Sequence, residues 1–385
     1  MSTTHTAPAT AVNLGLDSIS GLIQILKKHG YEVVGPTVRD GAIVYGPVQD
    51  IGDLPQGWTA EQSPGRYRLR RRDDEALFGY ATPAYGLKRF LHPPEVRLFH
   101  AERQNGEFVI LDNNSPPPQY AFLGVRACDL AAMAKLDRVL IRDRYSDAIY
   151  RGRREAAFLV AVTCTEPAAT CFCASMGAGP MPQSGYDILL TEFAEPGNHT
   201  FVAQAGSERG GEILSELGGA KAPAGAVKKV HQTAAQAASR LVKSLDTNGI
   251  QEALYEAFEH PRWDQIAARC LACANCTMVC PTCFCVTVED VSDVTLRHAE
   301  RWRRWDSCFT QNFSYIHGGS VRLSPKSRYR QWMTHKLAAW QDQFGESGCV
   351  GCGRCITWCP AGIDITEEAA AIRGNAAVSS APVGE

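Results

Sequence analysis

The chain has 385 residues, of which 45% are hydrophobic and 21% charged, and its formal net charge is −2. These values are ordinary for a globular protein, and the length suffices for two or three domains. So small a net charge gives no general attraction to nucleic acid or to anionic membranes. No apolar run approaches the roughly 20 residues that span a bilayer, and the first 19 residues lack the pattern of a secretion signal. We therefore expect a cytoplasmic protein that binds neither membrane nor nucleic acid.

The amino-terminal half predicts a mixed α/β domain at residues 13–222, after a small and polar segment at 1–12 that we expect to be disordered. Two β-branched runs flank Asp40 and Gly41, a pair typical of a tight hairpin turn. Apolar runs predict further strands at residues 108–111, 120–126, 156–163, 186–193 and 199–205. A helical pattern between the second and third of these runs favours a parallel pairing with a right-handed crossover.

The carboxyl-terminal half has a different pattern. A linker is expected at residues 223–230, and a helical domain is expected at 231–372. Apolar residues at helical spacing predict helices at residues 233–245, 250–260 and 261–270. A further apolar stripe is formed by Tyr329, Met333, Leu337, Trp340 and Phe344. Residues 373–385 predict a second disordered tail.

Cysteine is unusually frequent and unevenly placed. The chain has fifteen cysteines, and eleven of them follow residue 269. An odd number in a chain without an export signal argues against a disulfide framework, because cytoplasmic thiols are kept reduced. Clustered cysteines in such a protein more often bind metal.

Two segments of the chain repeat the spacing C-x2-C-x2-C-x3-C followed by proline, which is the bacterial ferredoxin run. In such runs three close thiolates hold one 4Fe-4S cluster, and the fourth thiolate ligates the other cluster. The pairing is therefore expected to be crossed. One cluster would be held by Cys270, Cys273, Cys276 and Cys359, and the other by Cys349, Cys352, Cys355 and Cys280.

The alternative to clusters is structural zinc, which uses two C-x2-C pairs and needs no third close cysteine. The chain differs from small ferredoxins in the spacer between Cys280 and Cys349, whose pattern predicts helices. The stretch "RWRRW" at 301–305 within this spacer is interpreted as a solvated helix face. An α-helical ferredoxin-type domain is therefore expected, of the kind that relays electrons inside larger redox enzymes.

Four cysteines of the first domain form a possible third site. Cys128 lies two residues after one predicted strand, and Cys164 directly follows the next. If these strands are parallel neighbours, both cysteines lie at their carboxyl ends, where α/β sheets place ligand sites. The loop after Cys164 adds Cys171 and Cys173, so the four thiols could hold a third 4Fe-4S cluster. The alternative is that they are buried core cysteines and an exposed pair in the loop.

Three cysteines remain after this assignment, namely Cys283, Cys285 and Cys308. They are interpreted as small buried side chains, with tuning of a neighbouring cluster or sulfur chemistry as the alternative. The chain also lacks a G-x-G-x-x-G dinucleotide fingerprint and any pattern of a hydrolytic triad. We therefore expect electron carriers and no catalytic residues in this chain.

Several segments together resemble a known family. These are "GVRACDLAAM", "CTEPAATCFCASMGAGP", "CLACANCTMVCPTCFC", "RWRRWDSCFT", "FSYIHGGSVR" and "SGCVGCGRCITWCPAGIDITEE". They resemble the iron–sulfur β subunit of cytoplasmic NAD(P)-linked nickel–iron hydrogenases, the sulfhydrogenases, and are similar to the relay subunit of anaerobic sulfite reductase.

The resemblance implies a hetero-oligomeric oxidoreductase in which this chain is the electron-transfer subunit. A flavin-containing subunit would oxidise NAD(P)H, and electrons would pass on to hydrogenase small and nickel–iron large subunits. The equivalent relay in a sulfite reductase complex is the first alternative. A zinc-containing interaction module is the second.

Overall fold

The computed structural model describes residues 11–112, 116–195 and 197–374. The strands are β1 Val12–Gly15, β2 Glu32–Arg39, β3 Ala42–Pro47, β4 Trp58–Ser63, β5 Arg66–Arg71, β6 Glu95–Gln104, β7 Glu107–Asp112, β8 Tyr120–Val125, β9 Phe158–Val162, β10 Ile188–Glu195, β11 Asn198–Ala205, β12 Ala220–Lys221, β13 Val286–Ser292, β14 His298–Trp305, β15 Tyr315–Ile316 and β16 Gly319–Ser320.

The α-helices are α1 Leu16–Lys28, α2 Lys88–Leu91, α3 Ala127–Leu140, α4 Ala148–Ala156, α5 Glu208–Leu217, α6 Ala226–Ser239, α7 Ile250–Glu256, α8 Arg262–Arg269, α9 Asn275–Met278, α10 Pro325–Thr334, α11 Trp340–Phe344, α12 Arg354–Thr357 and α13 Ile365–Ile372. No helix among the described residues is both long and apolar enough to cross a bilayer.

An eight-stranded mixed sheet organises the amino-terminal region, in the order β12-β1-β11-β10-β9-β8-β2-β3. The four central strands, β2, β8, β9 and β10, pair with one another in parallel. The flanking pairs, β2 with β3 and β10 with β11, are antiparallel. The predicted parallel pairing of β8 with β9 is therefore confirmed, and so is the hairpin of β2 and β3 around Asp40 and Gly41.

Both faces of this sheet are buried, which explains why β8 and β9 have continuous apolar sequences. Alternate residues of a strand point to opposite faces. Leu123 and Val160 pack on the face covered by α1, while Phe122 and Leu159 pack on the face covered by α3. The result is a three-layer α/β/α arrangement, so the predicted α/β class of this region is confirmed.

A second sheet joins distant parts of the chain, in the order β13-β14-β6-β7. The antiparallel hairpin of β13 and β14 lies in the spacer between the two cysteine runs, and β14 pairs with β6. The prediction of an all-helical spacer, including a helix face at 301–305, is therefore wrong. Valine and threonine in β13 favour a strand, and β6 offers the edge with which β14 pairs.

The predicted apolar stripe of the carboxyl-terminal region is confirmed in one continuous helical segment. Tyr329, Met333, Leu337 and Trp340 are buried along it. The middle of the segment, His335–Ala339, is a π-helix between α10 and α11. Such widened turns are frequent at functional sites.

The segments predicted as linker and tails are placed only in part. Helix α6 begins inside residues 223–230, and Val12 already lies in β1. The rest of the expected tails, residues 1–10 and 375–385, lies outside the described residues. The division into two domains stays a prediction, since the second sheet combines strands from both halves.

A buried ion pair connects the α/β region to the second cysteine run. The guanidinium of Arg354 lies against the carboxylate of Asp129, with Nη1 2.9 Å from Oδ1, and the two side chains are 0% and 1% exposed. Nη2 donates to the other carboxylate oxygen at 3.1 Å, and Nε donates to the carbonyl of Pro83 at 2.6 Å. Each charge is therefore compensated by a group of the other region.

Removal of one member of this pair should leave an uncompensated buried charge. We expect Arg354→Met and Asp129→Leu each to lower the free energy of unfolding by about 3–5 kcal/mol. The double variant should lose clearly less than the sum of the two, because neither charge then remains. Denaturant unfolding followed by circular dichroism under anaerobic conditions measures this. Additive losses would show that the two charges do not interact.

Candidate metal centres

The two ferredoxin runs fold in the same way. Ala272 and Ala274 have left-handed backbone angles (φ 49° and 66°), and so do Gly351 and Gly353 at the matching positions (φ 63° and 74°). In each run the second of these residues precedes a one-turn helix, α9 or α12. The left-handed turns bend the chain between successive cysteines, so three thiols of each run can face one centre.

Backbone N–H groups point at the cysteine sulfurs in both runs. Ala272 donates to Cys270 Sγ and Gly351 donates to Cys349 Sγ, each at 3.4 Å. Ile363 makes the same contact with Cys359 Sγ, also at 3.4 Å. Hydrogen bonds to sulfur are among the features by which a protein tunes an iron–sulfur cluster.

The first ferredoxin site is an apolar cavity whose lining contains Cys270, Cys273, Cys276 and Cys359. This is the crossed set predicted from the spacing. Aromatic side chains, including Tyr329 and Trp332, form part of its wall, and Cys355 also borders it. Burial raises the pKa of the Cys270 thiol, and it raises that of Cys276 strongly.

The second ferredoxin site consists of Cys280, Cys349, Cys352 and Cys355, whose thiols are close electrostatic neighbours. Burial raises the pKa of Cys349 to about 11, with Cys280 and Cys352 adding to the effect. Burial also raises the pKa of Cys355 strongly, and its neighbours are Cys349, Cys352, Cys280 and Cys276 of the first site. The structure thus brings the second predicted set together directly beside the first.

Cys280 has an environment unlike that of the other cysteines. Hydrogen bonding by Cys283 and the ammonium group of Lys336 lower the pKa of the Cys280 thiol well below its usual value, although burial opposes them. Lys336 Nζ lies 3.2 Å from Cys280 Sγ and 2.9 Å from Thr282 Oγ1. A second buried amine, Lys88, lies nearby, and burial lowers its pKa to about 8.

The four amino-terminal cysteines also approach one another. Cys128 lies at the start of α3 and Cys164 follows β9, so both are at the carboxyl ends of neighbouring parallel strands. Burial raises the pKa of Cys173 to about 12, with Cys164 contributing. Cys171 interacts with Cys173 and Cys164, and Cys128 interacts with Cys173. We call this set the amino-terminal thiol site.

The amino-terminal thiol site packs against the second ferredoxin site. Cys352 belongs to the same buried cluster as Cys128 and Cys173. The amide of Phe172 donates to the carbonyl of Gly351 at 2.8 Å. A Cβ on Gly351 would lie 2.6 Å from the backbone of Phe172, so this close approach requires glycine.

The side chains of both ferredoxin sites have the chemistry that 4Fe-4S clusters require of their ligands. Each ferredoxin site offers four cysteine sulfurs, and backbone N–H groups donate to at least one sulfur of each site. Within the described residues, no three His, Cys, Asp or Glu side chains converge closely enough to hold a single metal ion.

Sequence reasoning missed the two buried lysines of this region. Lys336 lies between Met333 and Leu337 of the apolar stripe. A lysine next to such a stripe was the sequence feature that could have indicated a buried amine. Sequence reasoning also did not predict where Cys283, Cys285 and Cys308 lie. In the structure all three line one cavity together with Lys336.

Residues 269–363 match the 4Fe-4S dicluster domain family. The chain therefore contains a 4Fe-4S dicluster domain in its carboxyl-terminal part, and both ferredoxin runs lie within it.

The chain is also 30% identical over 324 residues to Sulfhydrogenase 2 subunit beta of Pyrococcus furiosus, which covers 83% of this chain and 89% of that protein. It belongs to the sulfhydrogenase beta-subunit family, which confirms the resemblance predicted from the motifs. No solved structure matches the chain. The similarity to the relay subunit of anaerobic sulfite reductase stays a prediction.

The position of Lys336 leads to a prediction about reduction potential. Replacing it with methionine removes a positive charge 3.2 Å from Cys280 Sγ, and this charge favours the more negative, reduced form of a bound cluster. We expect Lys336→Met to lower one midpoint potential by on the order of 100 mV, the effect of a unit charge a few ångströms away at an effective dielectric constant of about 20. An EPR-monitored redox titration measures this shift.

The matched control is Lys228→Met, which removes a charge from the exposed face of α6 and should leave every potential unchanged. Equal potentials in the Lys336 variant and the native protein would show that this ammonium group does not act on a cluster.

Proposed function

We propose that this chain is the electron-transfer subunit of a multi-subunit cytoplasmic hydrogenase. It would pass electrons between a flavin-containing NAD(P)H-oxidising subunit and the hydrogenase small and nickel–iron large subunits. When bound, 4Fe-4S clusters supply one-electron carriers. The observation that carries the proposal is the pair of crossed four-cysteine sites in contact with each other.

In this proposal Cys270, Cys273, Cys276 and Cys359 hold one 4Fe-4S cluster, and Cys280, Cys349, Cys352 and Cys355 hold the other. Support comes from the shared lining of the first cavity and from the mutual interactions of the second set. Cys355 and Cys276 belong to different sites, yet their thiols are neighbours. Because these two ligands are adjacent, an electron would travel only a short distance between the two clusters.

The region around both sites is proposed as an α-helical ferredoxin-type domain, with the β13–β14 hairpin as an insertion in its spacer. The helical segment of α10 and α11 supports this, because it supplies Tyr329 and Trp332 to the first site and continues into the π-helix that contains Lys336. Residues 13–222 and 231–372 are the two proposed domains.

The relay role can be separated from catalysis in the assembled complex. We expect Cys355→Ser to reduce hydrogen-dependent NAD(P)+ reduction to near background, because this thiol lies between the two sites. Hydrogen-dependent reduction of a small artificial dye, which takes electrons directly from the nickel–iron subunits, should persist. Both rates are measured on complex whose subunit composition has been verified by size-exclusion chromatography.

Two results would contradict the proposal. Full NAD(P)+ reduction in the Cys355 variant would show that electrons do not pass through this chain. Loss of dye reduction together with NAD(P)+ reduction, in a complete complex, would place the chain in catalysis itself.

The amino-terminal thiol site is proposed to hold a third 4Fe-4S cluster through Cys128, Cys164, Cys171 and Cys173. What supports this is their mutual proximity and their packing against Cys352. Such a cluster would extend the relay from the second ferredoxin site into the α/β region.

The third cluster is testable by composition. We expect Cys171→Ser combined with Cys173→Ser to remove about four iron atoms and about four labile sulfides per chain, because two of four ligands are lost. Iron and sulfide are counted on anaerobically purified protein, with the exposed Ser184→Ala as control. An unchanged iron content would refute the third cluster.

A further inference from the structure

Three cysteines outside the proposed cluster sites share a cavity of about 170 Å3, which we call the thiol cavity. Its lining includes Cys283, Cys285 and Cys308 together with His335 and Lys336. The sequence interpretation took these cysteines as small buried side chains, whereas the structure places all three around one cavity.

The β13–β14 hairpin brings these thiols together. Cys285 directly precedes β13, and Cys308 follows β14 by three residues. The two strands pair in register at Val286 and Trp305, and the amide of Asp306 donates to the carbonyl of Cys285 at 2.9 Å. The hairpin thus returns Cys308 to the side of Cys285, where the two thiols interact.

His335 is the fourth side chain of the cavity with a nitrogen or sulfur suited to binding iron. Its ring packs beside Phe284 and Trp340, with centroid distances of 6.3 and 6.4 Å. Neither ring nitrogen hydrogen-bonds to another described residue. His335 is the first residue of the π-helix, and both His335 and Lys336 line the same cavity.

We propose that Cys283, Cys285, Cys308 and His335 hold a further 4Fe-4S cluster in the thiol cavity. Cysteine thiolates are the usual ligands of such clusters, and imidazole is also used to ligate iron–sulfur centres. Lys336 and Arg322 line the cavity and offset the negative charge that thiolates bring into it. This site goes beyond the relay formed by the two ferredoxin runs and does not depend on it.

The position of the cavity connects it to both ferredoxin sites. Trp332 lines the thiol cavity on one side and the first ferredoxin site on the other. Cys308 is an electrostatic neighbour of Cys276 in the first site, and Cys283 is an electrostatic neighbour of Cys280 in the second. A cluster here would exchange electrons with either site.

The direct test is the double variant Cys285→Ser and Cys308→Ser, which leaves Cys283 and its contact with Cys280 intact. We expect anaerobically purified full-length protein to lose about four iron atoms and about four labile sulfides per chain. The EPR signals of the ferredoxin-run clusters should remain. The control is Gln331→Leu, which changes the cavity lining without removing a ligand and should keep all the iron.

Unchanged iron in the double variant would overturn the proposal, and so would a loss of zinc instead of iron relative to the native protein. The loss should add to that of the Cys171 and Cys173 variant, because the two sites share no ligand. Loss of every cluster signal would contradict the independence of the thiol cavity from the two ferredoxin sites.

A second variant decides the matter if the double variant does not fold. His335→Cys supplies a thiolate in place of imidazole, so the iron content should stay constant while one Mössbauer component and one EPR-monitored midpoint potential change. Spectra and potentials identical to those of the native protein would show that His335 is not a ligand.

Discussion

The structure depends on the gathering of cysteine thiols in an apolar interior. Burial disfavours the charged form of a thiol, and it raises the pKa of Cys276, Cys349 and Cys355 here. The thiolates that iron requires can therefore persist only when cationic iron replaces their protons. Folding of the carboxyl-terminal region and binding of its clusters are thus expected to be coupled.

One device relieves this constraint locally, and two further contacts hold the cysteine groups together. Lys336 and the Cys283 thiol lower the pKa of Cys280, so one ligand of the second site is prepared for deprotonation. Glycine at 351 allows the Phe172 backbone to pack directly on the second run, which brings the amino-terminal thiol site against Cys352. The Arg354–Asp129 ion pair also connects these two regions. Through these contacts the amino-terminal thiol site and the two ferredoxin sites lie next to one another.

The parts that could be predicted from sequence are those set by local chemistry. Repeated spacing predicted two crossed cysteine sets, whose members lie close together in the structure, and apolar runs predicted β8, β9 and their parallel pairing. The β13–β14 hairpin could not be predicted in the same way, because β14 pairs with β6, about two hundred residues earlier in the chain. The roles of Lys336 and Asp129 also depend on partners that only the tertiary fold brings close.

The central claim is that two four-iron groups are bound by crossed cysteine sets from the two runs. X-ray data from anaerobically grown crystals, collected above and below the iron absorption edge, test it most directly. The account predicts iron anomalous density in the cavity of Cys270, Cys273, Cys276 and Cys359, and a second iron peak among Cys280, Cys349, Cys352 and Cys355. Iron bound by the four cysteines of a single run, or density that persists only at the zinc edge, would contradict it.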